Sequence, residues 1–473
     1  MSFLFSIFFS VFIFVPSLLA QGIESSRFRS FISSRFNTDI SKNNELEDRF
    51  EIRERFFFEA KLAKELSLGL GNLISLVSSK LEYEVLMSGF GSKYIFRPEL
   101  FEAYFMWANE NAQIAIGRMI KTWGYTDVSP LDVLNPKDFS EYLFNEDEFL
   151  KIPNFLFSLG GSLDELSIEV VYLPFFEPSR YYRINYDWAI LPPFALKGSQ
   201  EDLKPFISER VRLIEEDFQR YDLRYPEAGA KFEAKFGGTE FSLIYFWGLD
   251  RLPFPSFDPV FLTGFKRRRI GEEKTAEEMF EILFPMETTE ITSEINGRPL
   301  AILKSGRFHL LGLGLASEVR DWLLKWDISF VWKNPFLNED LNIVRHPLLS
   351  SVFQTEHNFR DVTIIIPINL SVALTDEKLF ILKTYPFTLK SLNPVVSGLL
   401  RWTALGQDFT SESGVSYDIT WQSYLISQRF SYNITDEIKL LWGANILGGR
   451  RASPFGFFNE NDHIFLWLRY FIL

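Results

Sequence analysis

The sequence predicts an all-β fold, a membrane-spanning antiparallel β-barrel of about 16–18 strands with long extracellular loops and a short loop helix. Three observations predict it. Apolar residues make up 47% of the 473-residue chain, yet the charged 23% stay interleaved with them. Apolar and polar residues alternate with period two in segment after segment, as on a strand with different surroundings on its two faces. Beyond residue 20 every apolar run is interrupted within about ten positions, too soon for a spanning helix. A backbone that crosses hydrocarbon without helices has to close into a barrel. Three parts are expected: 1–20 as a signal peptide, 21–50 as a first strand or a plug in the lumen, and 51–473 as the transmembrane barrel.

The opening segment is apolar from 3 to 19 apart from Ser6, Ser10, Pro16 and Ser17, and it ends Pro16-Ser17-Leu18-Leu19-Ala20. Pro16 and the small Ala20 read as an export signal cleaved after Ala20, with a membrane anchor as the rival reading. The segment carries no charge, so the remaining chain keeps the whole formal charge of −13.

The clearest alternation runs over 321–333. Trp322, Leu324, Trp326, Ile328, Phe330 and Trp332 share one face; Asp321, Leu323, Lys325, Asp327, Ser329, Val331 and Lys333 share the other. Trp322 and Trp332 lie about 33 Å apart along a strand, and a tilt of about 45° brings that to roughly 23 Å of membrane. The two tryptophans are therefore assigned to the aromatic girdles. Phe56, Phe58, Ala60, Leu62, Leu66 and Leu68 repeat the pattern against Arg55, Glu59, Lys61, Glu65 and Ser67. Leu166, Ile168, Val170 and Tyr172 repeat it, as do Val362, Ile364, Ile366, Ile368 and Leu370. The final stretch, 462–473, resembles the C-terminal strand signal read by the outer-membrane insertion machinery, although Leu473 stands where Phe is usual.

Tight connections are expected at 68–72, 109–111, 160–164, 237–239, 317–320 and 433–436. Long ones are expected around 124–151, 175–226, 250–300, 334–347 and 448–460, and these should be extracellular because such barrels keep their short turns on the periplasmic side. The Phe56 strand then runs towards the short-turn end and needs a partner before it, either 27–36 as a strand or an N-terminal segment rising through the lumen. Within 201–220, Leu203, Phe206, Ile207, Val211, Ile214 and Phe218 fall at helical spacing among charges, the pattern of an amphipathic helix capping or narrowing the barrel.

Chemistry-bearing motifs are sparse. The chain has no cysteine, which removes disulfides, thiolate metal sites and a lipidated N-terminus. Its acidic balance argues against nucleic acid as a partner. Four scattered histidines offer no metal spacing, and no hydrolase elbow, phosphate loop or dinucleotide fingerprint is present, so neither an enzyme nor a cofactor is expected. Gly312 and Gly314 lie within a strand, where small residues relieve crowding. The run Lys266-Arg267-Arg268-Arg269 is a solvated loop or a contact for anionic lipopolysaccharide.

One segment carries more than generic barrel features. It reads Gly117-Arg118-Met119-Ile120-Lys121-Thr122-Trp123-Gly124, then Asp132-Val133-Leu134-Asn135-Pro136-Lys137-Asp138, then Ile152-Pro153 and Pro174-Phe175-Phe176-Glu177-Pro178. With Asn461-Asp462 and Arg469-Tyr470 near the end, it resembles an uncharacterised family of Gram-negative outer-membrane porin-like barrels, distantly similar to alginate-export porins. The resemblance implies a porin-like fold and no enzyme activity. Gly117 interrupts the alternation of Ile114 and Ile116, so a β-bulge there is expected to turn Arg118 away from lipid, where a charge costs about 2–4 kcal/mol. The following loop, with Asp132, Asn135 and Asp138, is expected to fold inward and to bring Asp132 or Asp138 to Arg118.

The expected function is a channel or exporter for small or acidic solutes across the outer membrane. Its lumen is expected to be lined by Glu59, Lys61, Lys80, Glu82, Glu102, Arg118, Glu165, Glu169, Lys325 and Asp327, charges of both signs that give weak selectivity. A plugged carrier for hydrophobic cargo and a surface-exposed binding protein acting through its loops are the alternatives. Outer-membrane lipid, lipopolysaccharide and the insertion machinery are the expected partners; the oligomeric state stays open.

Overall fold

A computed structural model describes residues 25–39, 49–68, 71–90, 93–138, 150–180, 214–216, 223–252, 254–257, 301–338, 342–376, 379–381, 387–389, 392–450, 453, 455–458 and 462–472. Before Pro98, side chains are described only at Ile32, Ser34 and Arg55. The export segment, the basic run at 266–269 and most of 201–220 lie outside the described residues.

The chain begins with β1 (Ser25–Asp39), β2 (Arg49–Leu68), β3 (Gly71–Phe90), β4 (Lys93–Ala108), β5 (Ala112–Met119), β6 (Asn154–Leu163) and β7 (Leu166–Leu173). It continues with β8 (Ile214–Glu216), β9 (Glu227–Phe236), β10 (Thr239–Leu249), β11 (Phe254–Phe257), β12 (Ala301–Lys304), β13 (Arg307–Val319) and β14 (Trp322–Asn338). Then follow β15 (Ile343–Phe359), β16 (Val362–Ala373), β17 (Leu379–Ile381), β18 (Phe387–Leu389) and β19 (Asn393–Ala404). The last are β20 (Phe409–Asp418), β21 (Ser423–Asn433), β22 (Ile438–Gly448) and β23 (His463–Ile472).

One sheet holds 20 of these strands. The hairpin of β17 and β18 extends the end of β14. The other eighteen pair antiparallel in chain order, and β23 returns to β1 in register from Ser30↔Ile472 to Asp39↔His463. The sheet is therefore a closed barrel without a free edge, which is how an all-β wall disposes of its unpaired N–H and C=O groups. β1 is part of this wall, so Ser25–Asp39 forms the first strand and not a plug.

The pleat sorts the side chains. On β14, Trp322, Trp326 and Trp332 are exposed on the outer face while Asp327 and Ser329 are buried inside. Leu311, Leu313, Tyr245, Phe353, Ile368, Leu400, Ile426, Leu466 and Leu468 continue the same apolar exterior around the ring. Connections at one end are short: two residues at Asp164, Arg320 and Arg360, each with positive φ, and four at 405–408 and 434–437. The long connections all lie at the other end.

Two local expectations are corrected. The stretch 334–347 is not a long loop: β14 and β15 run on through it and join at 339–342. A register shift between Val331 and Asn334, with Lys333 at φ 59°, absorbs Pro335 into the ladder. The long connection at that side is instead 374–392. Ile214–Glu216, inside the expected helix, is a strand pairing parallel with β12 in a separate three-stranded sheet with β11. Pairing with a partner outweighs a local helical spacing.

Candidate functional site: an inward loop and an open wall

The segment 120–138, which follows β5, folds into the barrel and packs on its inner wall. Trp123, 1% exposed, meets Phe246 edge-on at 6.3 Å and donates from Nε1 to Glu169 at 3.0 Å. Lys121 pairs with the same carboxylate. Leu131 and Leu134 are fully buried in a cluster with Leu156, Leu173, Ile244, Leu310 and Val331, apolar inner-wall positions that would otherwise face water. The wall makes room with glycine. A Cβ on Gly312 would stand 2.3 Å from Leu131 Cδ2, and one on Gly314 would stand 2.9 Å from the Tyr125 ring.

Polar contacts lock the tip of the loop to β14 and β15. Asp327 Oδ2 accepts from Tyr125 N at 2.9 Å, Thr126 N at 2.8 Å and Thr126 Oγ1 at 2.8 Å. Gln354 accepts from Asp127 N at 3.0 Å and donates back to Asp127 Oδ2 at 3.0 Å. The same amide donates to Glu356 at 2.7 Å, which pairs with Lys325. The Tyr125 hydroxyl donates to Glu233 at 3.3 Å; burial first and Glu233 second push its ionisation well above the ordinary tyrosine range, so it stays a neutral donor. Asn135 holds the base of the loop. Its Oδ1 accepts from Lys121 N at 2.9 Å and its Nδ2 donates to Ile152 O at 3.0 Å and Met119 O at 3.3 Å.

At the rim, a buried ion network ties the loop ends together. Arg118 meets Glu177 at 2.5 Å and Glu99 at 2.9 Å. Arg180 pairs with Glu99 and lies 3.8 Å from both Asp138 and Glu177. Burial works against the Arg180 charge, but Glu99, Asp138 and Glu177 outweigh it and hold its pKa above the ordinary value. Arg251 reaches Glu227 at 2.6 Å and donates to the carbonyls of Glu177 and Leu134.

The expected partners of Arg118 are thereby corrected: Asp132 pairs with Lys151 at 2.9 Å and Asp138 with Arg180. Arg118, one residue before the end of β5, lies on the side of β4 and the 174–180 segment, whereas Asp132 lies farther along the loop, against the residues that lead into β6. The bulge is corrected too. Pairing of β5 is unbroken on both sides at Gly117, and the extra residue is Phe101 in β4, between the pairs Glu82↔Glu102 and Tyr83↔Leu100. That bulge offers the carbonyls of Leu100 and Phe101 to Arg118 Nε, each at 3.1 Å. Gly117 contributes a φ of 133°, with its Cβ direction only 2.3 Å from Ala103 O.

Opposite the loop no described segment covers the wall. A cavity of about 550 Å³ lies against β19–β23, lined among others by Arg401, Glu412, Arg429, Lys439, Asn445 and Phe465. Glu412 takes Arg401 at 2.7 Å and Arg429 at 3.7 Å. Lys439 has no carboxylate within ion-pair distance among the described residues, so the cavity lining carries three cations against one carboxylate.

Of the other expected lumen residues, Glu102 is buried and accepts from Ile120 N at 2.9 Å. Glu169, Lys325 and Asp327 hold the loop, as above. Glu165 is exposed in the β6–β7 turn, one position short of the strand that would have aimed it inward. Glu59, Lys61, Lys80 and Glu82 occupy β2 and β3, with Glu59 opposite Lys80; their side chains lie outside the described residues. Sequence reasoning missed Trp123, Tyr125, Gln354, Arg401, Glu412, Arg429 and Lys439. Of these seven, the five in strands, Gln354, Arg401, Glu412, Arg429 and Lys439, share inward parity, and that was the available signal.

No known protein family matches the chain, and no curated protein does. Solved structures with a similar course include a BenF-like porin from Pseudomonas fluorescens Pf-5, at 8% identity and TM-score 0.49, covering 95% of this chain and 99% of that one. OpdQ of Pseudomonas aeruginosa follows at 9% and 0.48, covering 95% and 99%. OmpF of Salmonella typhi, solved in complex with daunomycin, gives 9% and 0.39, covering 94% and 97%. Overlap this slight decides nothing about function.

Proposed function

We propose that the chain is an outer-membrane channel for small solutes, narrowed by the 120–138 loop and favouring anions. The observation that carries this is the pairing of an apolar exterior with a polar inner cavity that the loop leaves uncovered. An exterior of exposed Trp, Leu, Ile and Phe is stable only against lipid, and a polar inner wall only against water. Three cations against one carboxylate around the cavity raise the local concentration of anions over cations. Acidic solutes, including the uronate class suggested by the resemblance to alginate-export porins, are the cargo in this reading. The first twenty residues direct export, and β23 is the strand read by the insertion machinery.

Single-channel recording of the refolded protein in planar bilayers tests it. Discrete steps that scale with salt are expected, with a reversal potential on the anion side. Replacing Arg401 and Arg429 with glutamate should move that potential towards cations. A folded barrel that never conducts sinks the proposal.

A further inference from the structure

We propose that the outer face at the loop end of β13–β15 binds a phosphate group of an anionic lipid in the outer leaflet. The inference rests on the outer-membrane reading above. Arg307 shares the outward parity of His309, Leu311 and Leu313 on β13, and Arg345 that of Leu349 and Phe353 on β15. The two arginines converge. Arg345 Nη1 donates to Arg307 O at 3.1 Å, and the Arg307 guanidinium lies 4.4 Å from the Trp247 ring centre while donating to Pro226 O at 3.1 Å. Among the described residues each uses one N–H donor, which leaves most of the planar fork that matches a phosphate.

No carboxylate of the described residues lies within ion-pair distance of either. Glu227, which feels the Arg307 charge, is taken by Arg251 at 2.6 Å. Lys333, exposed in the β14 bulge beside Trp332, adds a third cation at this level. Immediately below lie Trp332 and the Tyr245 hydroxyl bonded to His309 Nδ1 at 2.9 Å, and then the apolar band begins. The cations thus stand where headgroups meet hydrocarbon. The short-turn end is different: its exposed Arg320 and Arg360 sit directly beside Asp321 and Asp361. Like charges with no paired carboxylate among the described residues, at a lipid interface, call for an anion, and a lipid phosphate is the one that this position meets.

Native mass spectrometry of the full refolded chain with bisphosphoryl lipid A, dephosphorylated lipid A and phosphatidylcholine tests the site. The wild-type barrel should retain bisphosphoryl lipid A over both other lipids, and Arg307→Gln with Arg345→Gln should lower that retention about tenfold. Inorganic phosphate at the same concentration should not displace the lipid; displacement would assign the site to free phosphate and overturn the lipid claim. Equal retention of all three lipids by the wild type overturns it as well, without relying on any variant to fold. Conductance recorded on the same preparations separates the two readings, since a conducting barrel without headgroup preference loses the site and keeps the channel.

Discussion

The inner wall of the barrel has two halves that share one pleat and do opposite things. From β6 to β15 the inward positions carry Gly312, Gly314, Ile244, Phe246 and Leu310, and the loop lies on them. From β19 to β23 the inward positions carry Arg401, Glu412, Arg429 and Lys439, and nothing described covers them. The difference teaches that the width of such a pore follows from which half of the wall is apolar and cut back enough to hold a segment of its own chain. Strand number sets the ring; side-chain volume on a few strands sets the opening.

The comparison breaks most severely at the rim. Arg118→Ala would strip the nearest cation from Glu177, whose side chain is 1% exposed, and destabilise the barrel by about 3 kcal/mol. Denaturant unfolding in vesicles measures this, and an unchanged midpoint would deny the network its role. Asp327→Ala removes three hydrogen bonds to a carboxylate, a loss of about 2–3 kcal/mol from the covered half. The loop tip should then leave the wall, so single-channel conductance should rise. A current as small as wild type would show that the apolar cluster alone holds the loop.

Gly312→Val asks whether the cut-back surface matters. The added methyls meet Leu131 and should cost about 1–3 kcal/mol, while the equivalent change at Gly398, on the outer face of the uncovered half, should cost less. The smallest effect concerns Asp462, which immediately precedes β23 on the uncovered side. Burial raises its pKa, only partly offset by the Leu447 N–H. The folded state therefore favours the protonated acid. The associated stability is present at low pH and lost as pH rises from the ordinary aspartate value to the raised one. Asp462→Asn should flatten that part of the stability–pH curve, and a curve of unchanged slope would contradict the assignment.

Much of the ring was legible in the residues. Alternation over 321–333 located β14 and its inward Lys325 and Asp327, and Gly312 with Gly314 read correctly as relief of crowding. The inward loop was legible as well, from Arg118 onward. Its contacts were not, because they join distant residues: Arg118 to Glu177, Tyr125 to Asp327, Asp127 to Gln354. No spacing along the chain encodes which carboxylate a guanidinium meets once three loops converge. The polar wall was hidden for another reason. Phe409–Asp418 carries Ser on both faces and Gly414 on one, so its period-two signal is faint and Glu412 does not stand out as an inward residue. The stretch 334–347 read as a loop for a different reason, since a bulge can carry Pro335 through a strand that composition alone would end.

The seam between β1 and β23 sets a condition on folding. Ser30 pairs with Ile472 and Asp39 with His463, so the first and last strands of the ring must find each other. Until they do, every partly paired intermediate carries two open sheet edges flanked by apolar side chains, a template for joining other chains. Closure is consequently a late, long-range step, slow by the entropy of bringing such distant segments together. A chain of this topology depends on being held soluble until the whole ring is available, and it becomes safe from aggregation only in the act of closing.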